Sequence, residues 1–243
     1  MQSLDDKLLK DVGRIHTREQ AINAIKLIKQ NNFAFSVDLM CGLPNQTLDS
    51  FKQTLNQIIS FNPDHVSCYS LILEESTPLF KMVENKEITL PSEEESLEMY
   101  TYAQEYLTKN GLNQYEVSNF SLKGKECLHN INYWKCGEYL GFGLNAHSYY
   151  NNFRFSNTDN LQKYLKKIKF SKNDVEFCEK IDKKMQKTEI LMLGLRMNGG
   201  VDLGEYQHKI GENLLITKQD VLLNLQSKYH TLLSNIHEYL IYS

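Results

Sequence analysis

The chain has 243 residues, of which 41% are hydrophobic and 23% are charged, and its formal net charge at pH 7 is −3. These values are ordinary for a globular protein of one large domain or two small ones. The negative balance provides no basic surface for nucleic acid, and no apolar run approaches the length of a membrane span. None of the five cysteines is three residues from another, which argues against a disulfide scaffold or a C-x-x-C zinc site and favours a reducing, cytoplasmic environment.

The first third of the sequence predicts a β-α-β unit. Residues 17–31 show a helical pattern of apolar residues that begins with a capping box. Two short apolar strands are expected at Phe35–Leu39 and Val66–Leu73, with a helix at Thr47–Ser60 between them. Two strands joined through a helix pair in parallel, with a right-handed crossover.

Asp38 interrupts the first of these apolar strands. A carboxylate near the C-terminal end of a parallel strand lies where α/β barrels place their active sites. The same side chain is equally suited to ordering the turn at Gly42. The residues by themselves leave both roles open.

The following segments predict a mixture of helices and short strands. Ser92 and the three glutamates after it mark a helix start, so we interpret those glutamates as a helix cap and not as metal ligands. That helix is expected to end at Asn110-Gly111. The remaining predicted elements are a strand at Gln114–Val117, another strand spanning Tyr149-Tyr150 and Phe153–Phe155, helices at 160–169 and 182–197, and small polar helices over the last forty residues.

The stretch Cys127–Ser148 holds two of the seven histidines, two of the five cysteines and the only tryptophan. The imidazole of His129 can ligate a haem iron, and the aromatic rings of Tyr133 and Trp134 can line the faces of a haem. If the segment is helical, Tyr133 shares the face of His129; if it is extended, Tyr133 shares a face with Ile131 instead. The alternative is a hydrogen-bonded histidine with a structural role.

Other residues of the same stretch are weaker candidates for a haem site. His147 is a second candidate ligand, and Cys127 and Cys136 could supply thiolates, although all three also suit structural positions. Three glycines are expected to keep the backbone adaptable for loading and release of a ligand: Gly137, Gly141 and Gly143.

Nine short strings, in order over nearly the whole chain, carry a family resemblance: Gln2-Ser3, Gly13–His16, Val37–Met40 with Gly42–Pro44, Tyr69–Leu71, Tyr115–Phe120, His129–Trp134, Gly141–Gly143 leading to Ala146–Ser148, Leu191–Arg196 and Leu233–Asn235. Together they resemble the radical SAM proteins of the oxygen-independent coproporphyrinogen III oxidase-like family. The H-N-x-x-Y-W string at His129–Trp134 is similar to that of the haem chaperones in this family.

The resemblance implies an α/β fold, in which the C-terminal portion of a partial (β/α)6 radical SAM barrel is followed by an α+β region and a helical C-terminal region. It implies the C-terminal part of the barrel at 1–90, an α+β region with the haem motif at 91–170, and a helical domain at 171–243. It also implies S-adenosylmethionine and a [4Fe–4S] cluster as cofactors, and haem as a further ligand.

The resemblance also assigns site residues position by position. Three side chains match the S-adenosylmethionine contacts of the family, and their polar groups suit its amino, carboxylate and ribose groups: Gln2, Arg14 and Asp38. The haem motif matches His129, the expected ligand of the haem iron, together with Asn130, Tyr133 and Trp134.

The sequence differs from the family in lacking the motif that binds the [4Fe–4S] cluster. The motif C-x-x-x-C-x-x-C is absent, and none of the five cysteines has the spacing to replace it. The motif would lie upstream of Met1, so the chain is expected to correspond to the C-terminal two-thirds of such a protein, through an incomplete gene model or through loss of the cluster. In addition, Cys41 stands where the family has Tyr, and Asn145 stands where it has Gly.

The sequence therefore predicts a haem chaperone-like protein that binds haem and S-adenosylmethionine. Its expected partners are haem and haem-receiving proteins, without nucleic acid or a membrane span, and a homodimer is left open. The alternative is an oxygen-independent coproporphyrinogen III oxidase (dehydrogenase) of porphyrin biosynthesis, which needs a reducible cluster. A third alternative is a fragment without function, so enzymatic activity stays open.

Overall fold

The computed structural model of the chain describes residues 1–169 and 175–228. The family string at Leu233–Asn235 lies outside the described residues. The chain divides into two compact units, Met1–Glu126 and Cys127–Ser243. The three-part division at residues 90 and 170 stays a prediction.

The first unit alternates helices with the strands of one sheet. Its elements are α1 Asp6–Asp11, α2 Arg18–Gln30, β1 Ser36–Cys41, α3 Leu48–Ile59, β2 His65–Ser70, α4 Pro78–Glu84, α5 Glu93–Lys109, β3 Asn113–Glu116 and β4 Asn119–Ser121. The sheet has four strands in the order β1-β2-β4-β3. The predicted α/β class is confirmed.

The predicted β-α-β unit is also confirmed. Strands β1 and β2 pair in parallel, with Ser36 opposite His65 and Asp38 opposite Ser67, and α3 connects them. Strand β1 begins and ends later than predicted, so Asp38 lies in the middle of the strand and not near its C-terminal end. Strand β4, which the sequence analysis missed, pairs antiparallel to β2.

The two faces of this sheet differ in chemistry because side chains alternate along a strand. One face packs against α3 and α5 in a core that includes Val37, Leu39, Val66, Phe51 and Leu107. The opposite face carries polar side chains, and we call it the polar face: Ser36, Asp38, His65, Ser67, Asn119 and Ser121. Apolar burial on the first face fixes the strand register, and the register in turn aligns the polar face.

Three helices of the first unit begin with complete capping boxes, in which the cap side chain and the third helical side chain each bond the backbone of the other. The pairs are Thr17 with Gln20, Thr47 with Ser50, and Ser92 with Glu95. The third pair confirms that the glutamates after Ser92 form a helix cap.

The second unit contains short helices and an antiparallel sheet of order β5-β6-β7. Its elements are α6 Leu128–Trp134, β5 His147–Tyr150, β6 Phe153–Ser156, α7 Leu161–Lys169, β7 Phe177–Lys180, α8 Lys183–Gly194, α9 Leu203–Ile210, α10 Leu214–Thr217 and α11 Gln219–Lys228. Within residues 1–169 and 175–228, no helix combines the length and the apolarity needed to cross a membrane.

The single strand predicted over Tyr149–Phe155 is in fact a hairpin. Strands β5 and β6 pair antiparallel, with Tyr150 opposite Phe153. The two residues between them, Asn151 and Asn152, have φ angles of 51° and 62°. Two central residues with positive φ form the tight turn that matches strand twist, and Asn tolerates this conformation better than most residues.

We expect Ser92→Ala to lower the free energy of unfolding by about 1 kcal/mol, because it removes the hydroxyl that accepts from the Glu95 amide at 3.1 Å. Urea denaturation followed by circular dichroism measures the change. The control is Ser76→Ala, an exposed serine before α4, which should change stability by less than about 0.5 kcal/mol. Equal losses in the two variants would contradict the capping role of Ser92.

Candidate functional site

The three residues matched to S-adenosylmethionine contacts lie in the first unit. The backbone carbonyl of Gln2 accepts from the Met40 amide at 3.0 Å, which holds the first residues beside β1. Burial lowers the pKa of the Met1 α-amino group, the Asp38 carboxylate raises it, and the Arg14 guanidinium lowers it further. Asp38 and Arg14 are therefore both within electrostatic reach of the segment that carries Gln2.

Two of these side chains have unused polar groups. The Gln2 Oε1 atom is buried and has no hydrogen-bond partner among the described residues. Asp38 is exposed on the polar face. The turn at Gly42, the alternative role for Asp38, is ordered by Gln46, whose side chain accepts from the Leu43 amide at 3.0 Å and donates to the Met40 carbonyl at 3.1 Å. Asp38 is thus left available to a ligand.

On the polar face, both ring nitrogens of His65 are hydrogen-bonded to neighbouring side chains. Its Nδ1 lies 2.7 Å from the Ser36 hydroxyl, and its Nε2 lies 2.9 Å from the Tyr115 hydroxyl. Burial lowers the pKa of His65, while the Asp38 carboxylate opposes this shift. The neutral imidazole is therefore favoured, with one ring nitrogen donating and the other accepting.

Glu116 and Asn119 are functional candidates whose only signal in the sequence is their place in a family string. They are 0% and 2% exposed. The Glu116 carboxylate accepts from the Ser118 amide at 3.1 Å and from the Asn119 side-chain amide. The second carboxylate oxygen of Glu116, Oε2, and the side-chain oxygen of Asn119, Oδ1, are buried without a partner in the described part of the chain. Both atoms are acceptors, so this position suits a bound water or a ligand N–H.

Cys41 and Cys68 lie on the core side of the same strands and are both 0% exposed. A hydrogen bond from the Cys68 thiol lowers the pKa of Cys41 to about 7, although burial opposes this. The same interaction raises the pKa of Cys68. Neither thiol reaches solvent, and both side chains belong to the hydrophobic core of the first unit.

The H-N-x-x-Y-W string lies in the second unit, on α6. The segment is helical, which selects one of the two geometries left open by the sequence. His129 and Tyr133 share a face, and their rings meet edge to face at 4.7 Å between centroids. Tyr133 makes a similar contact of 4.6 Å with Tyr139. His129 is exposed, so its ring is accessible to an iron atom.

Trp134 lies on a different side of α6. Its ring is stacked beneath the Arg196 guanidinium, 4.7 Å from the guanidinium carbon to the ring centroid. The structure therefore brings together His129 and Tyr133 but separates Trp134 from them. Asn130 is half-buried and, four residues before Trp134, lies on the Trp134 side of α6. The only signal for Arg196 in the sequence is its place in a family string.

The glycines after α6 serve close packing. A Cβ atom on Gly137 would lie 2.1 Å from the Asn132 Oδ1, and one on Gly141 would lie 2.1 Å from the His147 carbonyl oxygen. These contacts argue against the adaptable backbone expected at Gly137 and Gly141. Asn145 has a φ of 56°, a left-handed conformation that Asn tolerates.

The remaining candidate ligands differ in accessibility. His147 is exposed at the start of β5, opposite Ser156. Burial raises the pKa of the Cys136 thiol, which disfavours the thiolate that binds a metal. Among residues 1–169 and 175–228, no three His, Cys, Asp or Glu side chains converge as a metal-binding group. The described residues therefore do not fit a [4Fe–4S] cluster by themselves.

Comparison with known proteins finds relatives over most of the chain. Residues 1–58 match the Radical SAM superfamily. The chain is 35% identical over 240 residues to the haem chaperone HemW of Lactococcus lactis, covering 95% of this chain and 63% of that protein. It is 32% identical over 229 residues to HemW of Bacillus subtilis, covering 94% and 60%. The chain thus spans about three-fifths of the length of these relatives.

A solved structure shows the same fold. The coproporphyrinogen III oxidase HemN of Escherichia coli, a radical SAM enzyme, matches with a TM-score of 0.74 at 18% identity, covering 93% of this chain and 55% of that one. The sequence matches relate the chain to radical SAM proteins. Together with the likeness of fold, they support a HemN/HemW-like radical SAM family protein, which confirms the resemblance carried by its strings.

We expect the chain to lose stability in acid partly through His65. Its folded pKa is lowered from an unfolded value of about 6.5. The stabilisation is therefore present above about pH 6.5 and is lost as the pH falls through the folded pKa. Urea midpoints measured from about pH 7 to about pH 5 should fall less steeply for His65→Gln than for the parent.

The control for this pH dependence is His208→Gln, an exposed histidine on α9, whose slope should equal that of the parent. An equal slope for His65→Gln and the parent would show that burial of His65 does not contribute to acid sensitivity.

Proposed function

We propose that this chain is the haem-binding and S-adenosylmethionine-binding part of a haem chaperone-like protein. The observation that supports it best is the accessible imidazole of His129, fixed on α6 by its edge-to-face contact with Tyr133. Haem is the cargo in this proposal and passes to haem-receiving proteins. The relatives named as haem chaperones support the same function.

The chemistry of haem explains why this arrangement suits it. A haem carrier supplies one or two iron ligands and apolar contacts to the ring, and it must also release the haem. His129 offers the ligand from an exposed position, and Tyr133 and Tyr139 extend an aromatic surface from it. An exposed ligand on a short helix favours transfer because little of the protein must open.

S-adenosylmethionine is proposed to bind in the first unit through Gln2, Arg14 and Asp38. The unpartnered Gln2 Oε1 can accept from the amino group of the ligand. Arg14 can pair with its carboxylate, and Asp38 can accept from its ribose hydroxyls or its amino group. Bound S-adenosylmethionine would supply a sulfonium group to this site.

The alternative function, oxidation of coproporphyrinogen III, has no observation of its own in this chain. The likeness to HemN is a likeness of fold. Radical chemistry also requires a cluster, for which the described residues provide no ligand set.

We expect haemin to bind the chain with a shifted Soret band that depends on His129. Replacing the iron ligand in His129→Ala should return the band towards that of free haemin and weaken binding about ten-fold or more. Titration followed by absorbance measures both effects, and His208→Ala is the matched control from an exposed position of the same unit.

His147→Ala separates the two candidate ligands. If His147→Ala loses the shifted band while His129→Ala keeps it, the ligand is His147. If neither variant differs from the parent, the H-N-x-x-Y-W string is structural, and the haem proposal loses its main support.

We expect Asp38→Ala to weaken the binding of S-adenosylmethionine about ten-fold, because a hydrogen bond to a charged group is worth about 1.5–3 kcal/mol. Isothermal titration calorimetry measures the affinity. Asp159→Ala removes an exposed carboxylate of the other unit and should leave the affinity unchanged. Equal affinities of Asp38→Ala and the parent would reject the assignment of Asp38.

A further inference from the structure

Helix α7, Leu161–Lys169, has an apolar face that is exposed in the described part of the chain. Its residues Leu161, Leu165 and Ile168 are 54%, 50% and 60% exposed. At about 100° per residue, these three side chains fall within roughly 60° of arc around the helix axis. Single apolar side chains are normal on a protein surface, but three on one short helix form a continuous patch. We call these three residues the apolar stripe.

The rest of the surface of α7 is basic. The helix has no acidic residue, and it has four lysines: Lys163, Lys166, Lys167 and Lys169. Around the helix axis, Lys169 lies about 40° beyond Leu165, and Lys166 lies about 100° beyond it. An apolar stripe bordered by lysines is the pattern of helices that bind in the plane of a membrane surface.

One side of α7 is held against its own unit. Tyr164 and Lys167 are the half-buried residues of the helix, and Lys163 pairs at 3.3 Å with Glu176, just before β7. The three helix positions lie within about 100° of arc. A groove that encloses an amphipathic helix needs access to both of its flanks, and here one flank is occupied. A flat surface needs only the exposed side, which carries the apolar stripe.

We propose that α7 binds the surface of an anionic membrane, with the apolar stripe at the boundary of the acyl chains and the lysines on the lipid phosphates. Lysine stems pack along apolar surface while the ammonium groups stay in the polar layer. The charge of the unit is complementary as well. Residues 127–243 hold 15 lysines and arginines against 12 acidic residues, whereas residues 1–126 hold 12 against 18. This inference is independent of the proposed haem and S-adenosylmethionine sites.

Flotation of the full chain with lipid vesicles tests the inference. The parent should bind vesicles of equal parts phosphatidylcholine and phosphatidylglycerol, and it should not bind vesicles of phosphatidylcholine alone. Ile168→Gln should weaken binding roughly five-fold or more, because it removes an apolar side chain from the membrane contact. Gln is a good helix former, so α7 should persist. The matched control is Met192→Gln on α8, where the side chain is 59% exposed, and its binding should equal that of the parent.

A second pair of variants tests the lysines. Removing Lys166 and Lys169 together by substitution with Gln should weaken binding roughly 25-fold, since each lysine at an anionic surface contributes about five-fold. The control replaces Lys183 and Lys184, two exposed lysines of α8, and should leave binding close to that of the parent. Equal weakening by the two double variants would show attraction to the charge of the whole unit and would overturn the role of α7. Equal urea midpoints of parent and variants show that the variants are folded.

Other results would also overturn the inference. If the parent does not bind the anionic vesicles, or if Ile168→Gln binds them as the parent does, α7 is not a membrane-binding helix. If the parent self-associates without lipid and Ile168→Gln abolishes this in analytical ultracentrifugation, the apolar stripe is an interface between copies of the chain. Haemin titration of Ile168→Gln should match that of the parent, so the vesicle result and the haem result are read separately.

Discussion

The parallel pairing of β1 with β2 is the constraint on which the first unit depends. Because side chains alternate along a strand, the register that buries Val37 and Leu39 against the helices also places Asp38 and His65 on the opposite face. A slip of one residue would exchange the two faces. Apolar packing thus fixes the positions of polar groups that it does not itself contact.

The sequence predicted the elements whose signals are local. Capping boxes at Thr17 and Ser92 and the apolar periodicity of α3 each depend on residues within one or two turns, and all were found where expected. Strand β4 was missed because it has three residues and gains its stability from β2 and β3. The hairpin was missed because two adjacent Asn residues are a weaker turn signal than Asn-Gly.

The arrangement of the candidate site residues likewise depends on contacts that local sequence signals do not reveal. Family strings located His129 and Trp134 but did not show that they lie on different sides of α6, because a string carries no geometry until its secondary structure is known. Arg196 is 62 positions from Trp134 (196 − 134) and meets it through tertiary packing. The unpartnered oxygens of Glu116 and Asn119 likewise appear only when burial and hydrogen bonds are known.

On a helix, the spacing of the H-N-x-x-Y-W string determines which of its side chains share a face. Residues four apart share a face, which joins His129 to Tyr133, whereas residues five apart diverge. A motif that served only to surround an iron ligand would have its aromatic residues on the ligand's face. The final Trp134 instead adjoins Arg196, where two sets of donors lack acceptors. On α6, the pair formed by His129 and Tyr133 is therefore separate from the pair formed by Trp134 and Arg196.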